Sequence, residues 1–242
     1  GLYQSSFDSL AVVNPFAASG GRGGDSLEEM KQNIISNFNT QYRAVTPNDY
    51  TVRALSLPSK YGKLAKVYTE KAKANSNSGA NIDMYTLAFN NSGNLTSANT
   101  TLKQNLSTYL SQFRTIGDSI AIKDAFVINI GINFEIITLP NFNNSEVLRK
   151  CILELQNYFN ILNWQINQPI IIKDLNILLD KVNGVQTVKS LEIVNKADGS
   201  YSQYSYDTEG ATVNGVLYPS IDPMIFEVKF PNSDIVGKIV NL

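Results

Sequence analysis

Histidine, the commonest general base and metal ligand near neutral pH, is absent from this chain of 242 residues. A single cysteine, Cys151, excludes an intramolecular disulfide and a thiolate metal cluster. Cys151 falls on the apolar stripe of a predicted helix, which marks it as core filling and not as a reactive thiol. Carboxylates remain as the available acids and bases, and they are scattered. Asp222-Pro223 with Glu227 is the nearest approach to a cluster, and it is too thin for a metal or an acid/base pair. A hydrolase would need a carboxylate pair or a Ser–Lys dyad, and no spacing supports either. The residues thus predict no catalytic site, no cofactor, no metal and no enzyme.

Four further motifs have both a chemical and a structural reading. Ser19-Gly20-Gly21-Arg22-Gly23-Gly24-Asp25-Ser26 precedes a helix, as a phosphate-cradling loop does. It lacks the Lys-Ser/Thr pair of a P-loop, and Asp25 would repel phosphate at the helix N-terminus. A flexible approach to a helix is the better reading. Arg22 and Arg43 can pair with carboxylates across a helical layer, or grip backbone carbonyls of a neighbouring subunit. The first role is placed ahead. Asn94-Leu95-Thr96 and Asn105-Leu106-Ser107 have the form of glycosylation sequons, which an Asn-rich chain generates by chance. Tyr201, Tyr204 and Tyr206 form the one candidate aromatic platform for a glycan.

The composition narrows the partners. Lys and Arg number 20 against 21 Asp and Glu, a net charge of −1. A nucleic-acid binder carries a basic excess, because phosphate contacts dominate its affinity, so no nucleic acid is expected. The longest apolar runs, such as Ile170-Ile171-Ile172, fall far short of the roughly 20 residues of a membrane span. No membrane partner and no signal peptide are expected, since Gly1 opens directly into mixed polar sequence. The missing initiator Met points to a processed chain or a fragment. Charged residues make up 17% of the chain, below the usual share of about 25%. The surface must rely on Asn, Ser, Thr and Gln, which suits packing against neighbours. An AT-rich genome would produce the same bias.

The elements that would position these residues follow from periodicity and caps. A short strand is expected at 10–13 and a helix from Asp25 or Ser26 to about residue 38, with Glu28 and Glu29 at capping-box distance. Thr46-Pro47-Asn48-Asp49 is a sharper start, predicting a helix over 47–57. Strands at 64–70 and 82–89, joined by a polar loop at 74–80, predict a hairpin. Leu102, Leu106, Tyr109 and Phe113 share one face of a helix over 94–114. Phe126, Ile128, Ile130, Ile132, Phe134 and Ile136 alternate strictly, so one face of this strand must be covered. Asn129 falls on the other face and is expected to tolerate a charge. Helices at 144–162 and 171–182 follow, the second closed by Asn183-Gly184 as a left-handed cap. Strands at 185–194 and 225–230 flank a polar excursion over 195–214. The order predicts an α+β fold of two consecutive small sheets, each covered by two helices and joined by a long helix. The expected units are 1–93, with the Gly-rich loop leading into its helices, a connecting helix at 94–115, and 116–242 ending in a C-terminal strand.

Two blocks of sequence carry a resemblance. Gly20-Gly21-Arg22-Gly23-Gly24-Asp25-Ser26-Leu27-Glu28-Glu29-Met30-Lys31 and Gln41-Tyr42-Arg43-Ala44-Val45-Thr46-Pro47-Asn48-Asp49-Tyr50 resemble the paired helix starts of the baseplate J-like and wedge family. The second match is the specific one. Gly184-Val185-Gln186-Thr187-Val188, with Ala211 to Ser220 and Ile221 to Lys229, resembles the C-terminal end of the baseplate wedge proteins of contractile-tailed bacteriophages. Such proteins have further N-terminal domains, so Gly1 is expected to be an internal point of a longer polypeptide. The resemblance implies a structural subunit that pairs with itself and with other wedge subunits. Copies would join neighbouring wedges into a ring around the tail tube that rearranges on sheath contraction. It implies residence in the virion tail baseplate, and in the host cytoplasm during assembly. No catalytic residues carry over. A receptor- or glycan-binding tail module is the alternative.

Overall fold

The computed structural model describes residue 31, residues 43–72 and residues 81–240. The expected strand at 10–13, the Gly-rich stretch with Arg22, the helix starting at Asp25 or Ser26 and the loop at 74–80 lie outside the described residues. The fold is α+β.

Helix α1, Pro47–Leu55, begins where its cap dictates. The Thr46 hydroxyl accepts the Asp49 N–H at 3.2 Å, and the Asp49 carboxylate accepts the Thr46 N–H at 2.9 Å, closing a capping box. Burial works against ionisation of Asp49, but the N–H groups of Thr46 and Val45 outweigh it and hold the carboxyl below its ordinary 3.8. The box is local and exposed. Thr46→Ala is therefore expected to cost about 1 kcal/mol. The melting temperature should fall while self-association is kept. An unchanged melt with association lost would move this turn into a subunit interface.

The first sheet is built on β2, Ile82–Phe89. Strand β1, Lys66–Lys71, runs antiparallel along one edge of β2 as the expected hairpin. The other edge is shared by β3, Leu95–Ser97, antiparallel at the end of β2, and by β4, Ile120–Asp124, parallel at its start. Helices α1 and α2, Thr100–Leu110, cover this sheet, with Tyr50, Ala54, Met84, Leu102, Leu106 and Leu110 in one core. Helix α2 is shorter than expected at both ends. Asn99 caps it by accepting the Leu102 N–H at 2.7 Å, and the five residues before Asn99 include strand β3. The chain then reaches the second sheet through β4, not directly from the helix.

The second sheet repeats the plan with a different chain order. Its centre is β5, Phe126–Thr138, the strictly alternating strand. Strand β7, Val185–Lys196, lies antiparallel along one edge, and β10, Met224–Glu227, and β11, Ile235–Ile239, lie parallel along the other. Ile128, Ile130, Ile132, Phe134 and Ile136 face helices α3, Asn144–Tyr158, and α4, Ile172–Asp180, whose Val147, Cys151, Leu155, Leu175 and Leu179 complete the larger core. Gly184 has the expected positive φ of 102°, but in the turn into β7, because the helix closes earlier, at Asp180. Strand β11 is an addition to the expected elements. Its central Gly237 is required, since a Cβ there would lie 2.4 Å from the Phe134 ring and 2.6 Å from Leu148. A single turn, α5 (Pro231–Asp234), separates β10 from β11. Strands β6, Ile170–Ile171, β8, Thr212–Val213, and β9, Val216–Leu217, form a small third sheet.

Candidate functional site

The residues singled out in the sequence do not converge. Arg43 is exposed and makes no ion pair with another described residue. Asp222 is exposed at the approach to β10, whereas Glu227, at its far end, is buried. Cys151 is fully buried, and burial pushes its thiol up to about 11, away from thiolate chemistry. Among the described residues, no group of three or more His, Cys, Asp and Glu is placed to hold a metal ion. Asn105 turns its amide to the Tyr61 carbonyl at 3.1 Å.

The three tyrosines are divided among different tasks. Tyr201 donates its hydroxyl to the buried Asp234 at 2.6 Å and packs edge-on against Phe230. Tyr206 donates to the Tyr218 carbonyl at 2.7 Å and stacks edge-on to Phe226. Only Tyr204 offers its ring outward, at 40% exposure and edge-on to Phe126. One ring is not a platform.

The site that sequence reasoning missed lies at the seam between the two sheets. Glu227 is 3% exposed and Asn129, its register partner on β5, is 1% exposed. One carboxylate oxygen of Glu227 accepts the Leu95 N–H of β3 at 2.7 Å, and the other accepts the Asn129 amide at 2.8 Å. The side-chain Oδ1 of Asn129 in turn accepts the Ser202 N–H at 2.7 Å. Strand β3, strand β5, strand β10 and the 197–204 excursion thus meet at one carboxylate. Beside it runs a groove of about 200 Å³, edged by Thr96, Ser97, Tyr204 and Lys229. The signal was present in the sequence: Glu227 interrupts the run Met224-Ile225-Phe226 and Val228, and Asn129 interrupts an isoleucine series. A polar residue inside a strand of apolar neighbours is buried only if partners reach it, and here they come from distant segments.

Chemically this site is an acceptor held by donors. Both Glu227 oxygens accept a hydrogen bond, and among the described residues no other acid or base bonds to them. Burial pushes the Glu227 carboxyl above its ordinary 4.5, against the Leu95 N–H, the Asn129 amide and the Lys229 charge. Ionisation is therefore harder in the folded chain than in the unfolded one. The stability contributed by this group is fully present below the ordinary value and is lost as pH rises through the raised one. Urea midpoints of the parent chain and Glu227→Gln, compared from about pH 4 to pH 8, should diverge in slope, with this loss missing from the variant. Parallel pH profiles would show that Glu227 titrates as if in water.

No protein-family model matches the chain, and no curated protein matches it. Among solved structures, it is similar to a chain in the cryo-EM structure of the anti-feeding prophage (AFP) baseplate, 6-fold symmetrised. The TM-score is 0.52 at 12% sequence identity, and the match covers 92% of this chain and 43% of that one. The chain thus spans less than half the length of the baseplate chain it matches. At this identity the likeness shows a shared fold and nothing finer.

Proposed function

We propose that this chain is a structural subunit of a contractile-tail baseplate, part of a wedge protein that self-associates and joins neighbouring wedges into a ring around the tail tube. The observation that carries the reading is the fold shared with a chain of the AFP baseplate across 92% of the residues. The resemblance of Arg43-Ala44-Val45-Thr46-Pro47-Asn48-Asp49-Tyr50 and of the 211–229 block to wedge proteins supports it independently. The ring rearranges when the sheath contracts. Other wedge subunits are the further partners, and the chain resides in the virion tail, after assembly in the host cytoplasm. It has no catalytic, cofactor or metal site, and it binds neither nucleic acid nor membrane. Its working parts are a unit built on the sheet of β1 to β4 and a unit built on the sheet of β5, β7, β10 and β11.

Self-association is the first consequence. Closed assemblies reuse complementary patches, and a low density of charge keeps such patches from repelling. Sedimentation of the purified chain should show a dimer or larger ring at tens of micromolar, equivalent to about 6 kcal/mol of association. A strict monomer at that concentration would contradict the self-pairing wedge.

A further inference from the structure

We propose that the seam between the two sheets is a conformational joint, with Ala125 as its hinge, Leu87 and Leu95 as its pivot, and the buried charges Glu227 and Lys66 setting its angle. Among the described residues the chain crosses from the first sheet to the second once, at Ala125, between Asp124 of β4 and Phe126 of β5. A single crossing at an element boundary can absorb a change of backbone angle without disturbing either sheet. Leu87 and Leu95 belong to the first sheet by pairing, yet they are embedded in the larger core of the second. They keep the sheets in contact.

The two charges act reciprocally. Glu227 reaches from the second sheet to the Leu95 N–H of the first at 2.7 Å. Lys66 of β1, 6% exposed, reaches from the first sheet to the Leu162 carbonyl beyond α3 at 2.9 Å. Each reaches a main-chain group of the opposite unit, so each of these bonds favours one relative position of the units. Beside the Glu227 bond the packing opens into a groove of about 200 Å³, with Thr96 and Ser97 on one side and Tyr204 and Lys229 on the other. Close-packed interiors resist continuous deformation, and a groove at this place lowers that resistance on one side of the seam. The sheets can therefore turn about the leucine pivot when these bonds break, with Leu87, Leu95 and Ala125 repacking within the larger core.

The test is a distance measurement between spin labels at Gln104→Cys on α2 and Glu154→Cys on α3, both exposed, with the buried Cys151 left in place. The parent chain, Glu227→Ala, Lys66→Met and the exchanged pair Glu227→Gln/Asn129→Asp are compared. A narrow distribution is expected for the parent, and a broadened or shifted one for both single variants at unchanged helical content. In Glu227→Ala the Leu95 amide should exchange about tenfold faster or more, as loss of a charge-assisted hydrogen bond requires. The exchanged pair, which keeps every hydrogen bond of the cluster, should return to the parental distribution. If Glu227→Ala does not fold, Lys66→Met decides by the same criterion. An unchanged distribution in the folded single variants overturns the joint. So does loss of all helical signal in both, which would make the seam an indivisible part of the core.

Discussion

Asn129→Asp is expected to destabilise the chain by about 3–5 kcal/mol at neutral pH, the scale of a buried charge left without a partner. The Asn129 amide donates to Glu227 at 2.8 Å, and both side chains are almost fully buried. A second carboxylate at that position cannot ionise beside the first, so the pair must retain a proton. The loss should therefore shrink as pH falls, because the introduced carboxyl, once protonated, could again donate to Glu227. Glu227→Gln/Asn129→Asp restores a donor facing an acceptor and keeps bonds to Leu95 and Ser202. It should recover most of the lost stability. Urea unfolding of the two singles and the double forms a complete cycle. A cost for Asn129→Asp within about 0.5 kcal/mol, the range of an exposed site, would show that the residue faces water.

This expectation reverses the one drawn from alternation alone. Alternation assigns Asn129 to the face opposite Ile128 and Ile130, and that assignment holds. It cannot tell what covers the opposite face. The Ser202 N–H, 73 residues away, and Glu227, 98 residues away, close over Asn129. The same limit explains other differences. Residues 94–99 continue into a helical pattern, but Leu95 is recruited by β2 and Glu227 into a strand. Strand β11 is short and centred on glycine, a residue that weakens strands when read alone, and it exists because β5 offers a parallel edge. What was legible is local. Thr46 and Asp49 are three residues apart and cap the helix regardless of the rest of the chain. The hairpin partners β1 and β2, and the stripe Cys151, Leu155 and Phe159, likewise lie in short windows.

Ile130→Asp is expected to abolish folding of the second sheet. Ile130 is 0% exposed at the centre of β5, inside the core formed with α3, α4 and β10. The substitution removes roughly 1.5–3 kcal/mol of apolar burial. It also places a carboxylate among the apolar side chains of that core, at a further cost of several kcal/mol. Together these approach the entire stability of an ordinary domain, about 5–15 kcal/mol. The protein should aggregate or lose its cooperative melt. A soluble variant with the parental melting temperature would mean that the face under α3 and α4 is not the core.

The central claim is a place in a baseplate, and location tests it more directly than stability does. Contractile particles would be purified from cells whose genome encodes the chain, labelled with an antibody raised against residues 43–240, and imaged by electron microscopy. Label at the baseplate end of the tail, in both extended and contracted particles, is the predicted result. Particles that are intact but unlabelled at that end, or labelled only along the sheath or at the fibre tips, would contradict the account.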